Sequence, residues 1–194
     1  MSKNKIVKRQ IRTCVFETNS SSQHSLCMKK GIGDRTENIK RLSEIANDNV
    51  ITLFKTDPDT IMDMADYVMD ISGMDMQTKL DLLSYSAMVG SANEFIKYIC
   101  YIRDMLYVNY GIDMQVDYDN LNKAADMYFY HGIFRHLSNE FALDQIETFL
   151  FTDWCFYTRY DDDCGPMPKE IEEIQDIFFS MPENECIMIA KRGS

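Results

Sequence analysis

The chain has 194 residues, of which 45% are hydrophobic and 12% aromatic, and this composition excludes an intrinsically disordered chain. Its length predicts one domain over residues 1–194, with a core of its own. No apolar run approaches the roughly 18–20 residues of a membrane helix, and no hydrophobic region follows the basic start as a signal peptide requires. The sequence therefore predicts a cytoplasmic protein that makes no membrane contact.

Charge is distributed unevenly along the chain. The net charge is −11 at pH 7, but residues 1–12 contain five basic residues and no acidic one, so the remainder carries −16. Such a body repels nucleic acid and attracts basic proteins, although an acidic composition also serves solubility alone.

The first predicted elements are strands. Residues 10–30 predict a β-hairpin in which IRTCVFET and HSLCMKK flank the polar turn NSSS. Asp34, with Glu37 three residues later, predicts the start of a helix. VITLF, at residues 50–54, has the composition of a short buried strand.

Residues 57–140 are predicted to form a helical block. Four helices are predicted, over residues 57–73, 76–90, 91–111 and 119–139. The first opens at Asp57-Pro58, with aspartate as cap and proline in the first turn. The third is apolar over most of its circumference, so we expect it at the centre of the fold.

Residues 146–191 are predicted to form a hairpin, a helix and a closing strand. The start of this segment is rich in strand-forming side chains. ETFLFTDWCFYTRYDDD predicts a hairpin that turns at Thr152-Asp153, with a helix through QIETFLF as the alternative. An amphipathic helix, KEIEEIQDIFFSM, and a closing strand, ECIMIAK, follow the break GPMP. The inward positions of that helix are expected to be Ile171, Ile174, Ile177 and Phe178. The whole pattern predicts an α+β fold, with an antiparallel sheet of N- and C-terminal strands packed against a mostly helical middle.

Six cysteines are scattered through the chain without a C-x-x-C pair. Because no export signal is visible, we predict reduced thiols and neither disulfides nor a zinc site. The sequence contains no signature of a cofactor.

The most specific motif is R-x-x-V-F-E-T-N-S-S-S-x-H-S, from Arg12 to Ser25. It resembles the start of a group of small uncharacterised proteins from Gram-positive bacteria and their phages, and the resemblance covers about residues 9–28. The resemblance to the same group recurs more faintly in FLFTDWCFYTRYDDD. Members of the group tend to have a phenylalanine-rich strand at this place, then a turn, and then a threonine followed by acidic residues. The resemblance implies a mobile-element setting in a bacterial host cell and a shared N-terminal module, and it implies no reaction.

Three roles are open for this motif. Its serine and asparagine side chains can hold a tight structural turn by bonding to the backbone. They can also form an anion or nucleotide site together with nearby positive charge. The residues of that site would be Arg12, Asn19, Ser20, Ser21, Ser22, His24 and Ser25. The weakest alternative is nucleophilic catalysis by Ser21, with His24 as base and Glu17 as orienting group, because the flanking glycines of a strained serine elbow are missing.

Two acidic groups offer further sites. Asp161, Asp162 and Asp163 follow a predicted strand and suit Mg²⁺ or Ca²⁺ weakly, since the calcium-loop spacing is absent. In the helix after Pro58, a row of aspartates spaced by four, three and four residues falls on one predicted face with no lysine or arginine nearby. This predicted aspartate row is Asp59, Asp63, Asp66 and Asp70.

These features lead to two hypotheses of function. The first is a non-enzymatic phage or mobile-element protein that binds a basic, nucleic-acid-handling host protein through acidic surface that includes the aspartate row. Such a protein could act as an inhibitor of host defence. The second is a nucleotide- or phosphate-binding enzyme with its site at the hairpin of Arg12–Ser25. The absence of a catalytic signature favours the first, and no direct contact with nucleic acid is expected.

Overall fold

The computed structural model describes residues 22–64, 68–88, 92–126, 145–161 and 169–192. The strands in these ranges are β1 (Ser22–Lys29), β2 (Val50–Leu53), β3 (Val68–Asp70), β4 (Asp113–Val116), β5 (Cys155–Asp161) and β6 (Cys186–Arg192). The helices are α1 (Arg35–Ile45), α2 (Pro58–Asp63), α3 (Met76–Met88), α4 (Ala92–Met105), α5 (Tyr118–Asp126), α6 (Gln145–Phe151) and α7 (Lys169–Ser180), and a π-helical turn, Leu106–Tyr110, extends α4.

β1 is an inner strand of a four-stranded antiparallel sheet with the order β3-β5-β1-β6. Leu26, for example, lies opposite Tyr157 of β5 and Ile189 of β6. The predicted α+β fold, with N- and C-terminal strands in one sheet, is confirmed.

The predicted hairpin over residues 10–30 needs correction, because β5 and β6 occupy both edges of β1 from Gln23 to Met28. A strand has two edges only, so its partners come from the far end of the chain.

β5 and β6 run parallel to each other on the two sides of β1, since both are antiparallel to it. Parallel strands need a long crossover, and α7 lies in the connection between them. Three apolar side chains of α7 are buried, namely Ile171, Ile174 and Phe178. The prediction that Ile177 also points inward is wrong, because this side chain is 47% exposed.

A second, two-stranded sheet pairs β2 with β4 in parallel. The strand expected at residues 50–54 is confirmed as β2, whereas β4 was missed between two predicted helices. The π-helical turn that extends α4 ends as expected at Gly111, which adopts φ +70, and the chain then enters β4 directly. A helix termination by a left-handed glycine leaves the following residues able to extend.

The predicted helix over residues 57–73 is wrong in its second half. Asp57 caps α2 and Pro58 occupies its first turn, as expected, but α2 ends at Asp63. Val68–Asp70 form β3 and pair with β5, and Ile71 donates its backbone N–H to the carbonyl of Cys155. The competing sheet contact satisfies this backbone, so a continuous helix is not formed.

For the segment QIETFLF, the sequence left a strand and a helix as alternatives, and the structure shows a helix, α6. The structure has Gln145–Phe151 as a helix, so the first strand of the hairpin predicted over residues 147–163 is wrong. Within that segment, the described extended residues are those of β5. Five of the seven side chains of α6 are buried, and a short helix that is mostly buried resembles a buried strand in sequence.

The central helix is α3 and not, as predicted, the helix after Ser91. Every side chain from Met76 to Ala87 is buried. α4 instead leaves Ile96 58% exposed, and the π-helical turn exposes Tyr107 and Val108. The polar side chains of α3 are compatible with burial because most of them bond to neighbouring backbone.

The cysteines of the described chain are thiols, at Cys27, Cys100, Cys155 and Cys186. Burial raises the pKa of the Cys155 thiol above its ordinary value, and Cys100 and Cys186 are less buried. Of the four described cysteines, we therefore expect Cys100 and Cys186 to react with a thiol reagent in the native protein before Cys27 and Cys155. Under denaturing, non-reducing conditions we expect six thiols per chain. A lower count would contradict the prediction and point first to Cys155 with Cys164, which lies outside the described residues.

Among the described helices, none combines the length and the apolar character that crossing a bilayer demands.

Candidate functional site

The end of the motif meets the acidic segment that follows it by more than a hundred residues. Ser22 lies opposite Asp161, His24 opposite Arg159 and Ser25 opposite Thr158 in the pairing of β1 with β5. The described parts of the Arg12–Ser25 motif and of FLFTDWCFYTRYDDD are therefore neighbours in one sheet. Of the residues of the predicted ligand site, Ser22, His24 and Ser25 are in β1, and their backbone lies at this end of the sheet.

A row of basic residues crosses the same end of the sheet. Arg159 of β5 and Lys191 of β6 both lie opposite His24 of β1. Residues that are directly opposite in antiparallel strands lie on the same face of the sheet. We call these three residues the basic row.

The remaining residues of the predicted ligand and catalytic sites lie outside the described part of the chain. They are Arg12, Glu17, Asn19, Ser20 and Ser21, and the predicted metal residues Asp162 and Asp163 lie outside it as well. The triad and the three-aspartate metal site therefore stay predictions. Within the described ranges, no group of three histidine, cysteine, aspartate or glutamate residues is placed to hold a metal ion.

The predicted aspartate row is not a continuous surface. Asp59 contacts the ammonium group of Lys123 at 2.7 Å, and Lys123 also contacts Asp57 at 2.7 Å. Asp63 is exposed at the end of α2, whereas Asp70 ends β3. The carboxylate of Asp70 accepts hydrogen bonds from the Ser72 hydroxyl and the Gly73 N–H.

The row was predicted from helical spacing, and the helix ends before the spacing is complete. Asp66 lies outside the described residues. Asp59 is neutralised by Lys123, sixty-four positions away in sequence and far outside residues 56–78, which contain no lysine or arginine. The prediction of a one-faced row of four free carboxylates is therefore wrong.

The exposed side of α7 is a better acidic surface. Between Lys169 and Glu185 the chain has six carboxylates and one lysine, a formal charge of −5. All six carboxylate residues are exposed, and none has an ion-pair partner among the described residues. They are Glu170, Glu172, Glu173, Asp176, Glu183 and Glu185.

Two large apolar side chains flank the carboxylates of this helix. Ile177 is 47% and Phe179 51% exposed. At about 100° per residue they fall on opposite borders of the exposed face, with Glu172, Glu173 and Asp176 between them. We call this surface, from Glu170 to Phe179 with Glu183 and Glu185 beyond it, the α7 face.

The sequence contained a signal for the α7 face but none for the basic row. The density of acidic residues after Lys169 is visible in the sequence, and the exposure of Ile177 and Phe179 is not. The basic row depends on the register of three strands that are distant in sequence. Asp161 was expected to lie in the same sheet as the motif, and its pairing with Ser22 agrees with that expectation.

In comparisons with known proteins, no family model, no curated protein and no solved structure matches this chain.

Proposed function

We propose that this chain is a non-enzymatic interaction protein that binds a basic protein through the α7 face. The observation that carries the proposal is a set of exposed carboxylates that have no ion-pair partner in the described part of the chain, with two exposed apolar side chains at their borders. The resemblance of the Arg12–Ser25 motif to phage-associated proteins supports a host partner that handles nucleic acid. Inhibition of such a partner, as in evasion of host defence, would follow from occupation of its basic surface.

Unpaired charge is the relevant quantity for such an interaction. A carboxylate that already has a lysine partner, as Asp59 has, presents little net field to an approaching protein. The carboxylates of the α7 face have no such partner among the described residues, so their charges sum over one surface. A summed field of one sign accelerates the encounter with a surface of opposite sign.

The apolar borders of the face contribute a different part of the interaction. Exposed aromatic and aliphatic side chains gain about 25 cal/mol for each Å² that a partner covers. Charge at the rim mainly sets the association rate, whereas buried apolar anchors mainly set the dissociation rate. The partner expected from Ile177 and Phe179 is therefore a basic surface with an apolar patch.

The test uses the partner recovered by pull-down from host lysate and then purified. We expect the fourfold variant E170Q/E172Q/E173Q/D176N to associate about tenfold more slowly at low salt, because it removes the steering charge. Raising the salt concentration should reduce the difference from wild type, since exposed charges are screened within about 8–10 Å at physiological ionic strength. Stopped-flow or biosensor kinetics measures both effects.

A matched variant separates the surface from net charge. D48N/D63N/D113N/D119N also removes four exposed carboxylates, at positions away from α7. We expect it to change the association rate far less. Equal slowing by both variants would reduce the proposal to an effect of net charge, and unchanged association of the α7 variant would contradict it. I177S and F179S should raise the dissociation rate with little change in association.

A further inference from the structure

We propose that β6 pairs with β6 of a second copy of this chain, so that the two sheets join edge to edge. β6 is the outermost strand of the order β3-β5-β1-β6 and pairs with β1 on one side. Within the described ranges, no strand and no backbone hydrogen bond occupies its other side. This contact is separate from the α7 face, and neither proposal depends on the other.

The pairing with β1 determines which backbone groups of β6 face outward. Lys30 donates its backbone N–H to the carbonyl of Glu185 at 2.7 Å, directly beyond the end of the strand pair. Hydrogen-bonded and non-hydrogen-bonded pairs alternate along antiparallel strands. Ile187, Ile189 and Lys191 are therefore the residues whose backbone bonds to β1. The residues whose backbone N–H and C=O groups point outward are Cys186, Met188, Ala190 and Arg192.

β6 lacks the usual protection of an edge strand. Proteins protect exposed edges by making them short or by placing lysine or proline on them. β3, at the opposite edge of the sheet, has three residues, whereas β6 has seven. From Cys186 to Ala190, β6 contains neither a charged residue nor a proline. A strand edge of this length and composition is a template for pairing with another strand.

The alternation along β6 allows one complete pairing of two copies. Antiparallel strands of identical chains are related by a two-fold axis, which makes the contact the same for both copies. With the axis at Ile189, Cys186 lies opposite Arg192 of the second copy. Met188 lies opposite Ala190 in the same register, so all the outward residues of each copy form hydrogen-bonded pairs. Every other position of the axis leaves at least one of them unpaired.

The charges at the two ends of β6 favour a second copy as the partner. Glu183 and Glu185 precede the strand and are exposed, and Lys191 and Arg192 end it. In the antiparallel contact, the acidic end of each copy lies beside the basic end of the other, and symmetry repeats this arrangement. Opposite charges across strands favour pairing, whereas a parallel contact would bring like charges together.

The first test measures the mass of the purified chain by sedimentation equilibrium. We expect a reversible dimer with a dissociation constant of about 1–100 μM, because the cost of association offsets much of the gain from the backbone hydrogen bonds. M188P removes an outward N–H that β1 does not use, and proline is tolerated at such edge positions. It should weaken the dimer about tenfold or more, since symmetry removes the bond twice. M188A loses the same side chain but keeps the N–H, so it should dimerise as wild type does, and melting temperatures check that both variants are folded.

The second test detects the register through a disulfide and does not depend on the proline variant. The two Ile189 positions face each other as a non-hydrogen-bonded pair, with Cα atoms about 4.5 Å apart, which is within the range of disulfides. I189C should therefore form a covalent dimer under mild oxidation, and mass spectrometry locates the link. M188C is the matched control, because it lies opposite Ala190 and should not cross-link through residue 188.

Three results would overturn the proposal. The first is a chain that stays monomeric throughout this concentration range. The second is a dimer that folded M188P leaves unchanged. The third is a dimer in which I189C forms no disulfide at position 189, or forms it no better than M188C does at position 188. Either of the last two results would assign the dimer to another surface of the chain.

Discussion

Replacing Asp81 with alanine is expected to lower the free energy of unfolding by about 2–4 kcal/mol, because it leaves one buried and two part-buried donors without their acceptor. Its carboxylate accepts the backbone N–H of Lys55 at 3.2 Å and of Thr56 at 2.8 Å. Gln77 donates a third bond to it from its side-chain amide at 3.1 Å. Denaturant unfolding of wild type and variant measures the loss.

The size of this effect follows from the position of the turn that Asp81 holds. The turn joins β2 to α2 and begins at Phe54, which adopts φ +60. The hydroxyl of Tyr85 donates to the carbonyl of Thr56 at 2.7 Å, and Asn120 donates to the carbonyl of Phe54 at 2.9 Å. Burial is the largest influence on the Asp81 carboxyl and raises its pKa, which the hydrogen bonds partly oppose.

An exposed aspartate provides the control for Asp81. D113A changes an exposed residue in β4 and should alter the free energy of unfolding by no more than about 0.5 kcal/mol. A similar small change for D81A would show that water or a shifted backbone replaces the three bonds, and it would contradict the role assigned to this carboxylate.

Replacing Lys79 with methionine is expected to stabilise the protein by about 1–3 kcal/mol, since a buried charge with poor compensation costs more than an apolar isostere. The Lys79 side chain is fully buried, and among the described residues its ammonium group has one hydrogen bond, 3.5 Å long, to the carbonyl of Thr152. Methionine fills a similar volume without a charge. The melting temperature and denaturant midpoint of the variant should both rise.

The pH dependence distinguishes a charge effect from a packing effect. Burial lowers the pKa of Lys79, with the charge of Arg41 acting in the same direction and Cys155 and Asp70 acting against it. Between the lowered pKa and the ordinary value of 10.5 the unfolded chain binds a proton that the native chain does not, so wild-type stability rises with pH. We expect the advantage of K79M over wild type to shrink across this window.

The exposed Lys97 is the matched position for Lys79. K97M removes the same charge from the surface of α4 and should change stability little, at every pH. Destabilisation by K79M would contradict the expectation and would make the ammonium group a structural donor. A stability gain that is constant with pH would assign the effect to packing.

Local signals in the sequence predicted several elements correctly. Asp34 caps α1 by accepting the N–H groups of Thr36 and Glu37, as the spacing indicated. β4 could have been found as well, because apolar and polar residues alternate from Ile112 to Val116.

Elements that depend on distant contacts were mistaken or missed. Met69 and Ile71 are buried on either side of the exposed Asp70, which is the alternation of a strand. The prediction instead followed a helical spacing of apolar residues, which includes Ile71 but not Met69. That predicted stripe is Ile61, Met64, Ala65, Val68 and Ile71. Only the pairing with β5 decides between the two. The candidate sites follow the same division, since the acidic density of α7 is local and the basic row is a product of register.

The place of β1 inside the sheet has a consequence for biosynthesis. Leu26, Cys27 and Met28 emerge from the ribosome long before their neighbours Phe156 and Met188, which follow by more than a hundred residues. At translation rates of roughly 5–20 residues per second, β1 waits about ten to thirty seconds for β6. Its apolar side chains and both backbone edges stay open to other chains during this interval. Slow folding and dependence on chaperones during synthesis are the expected result of such long-range pairing.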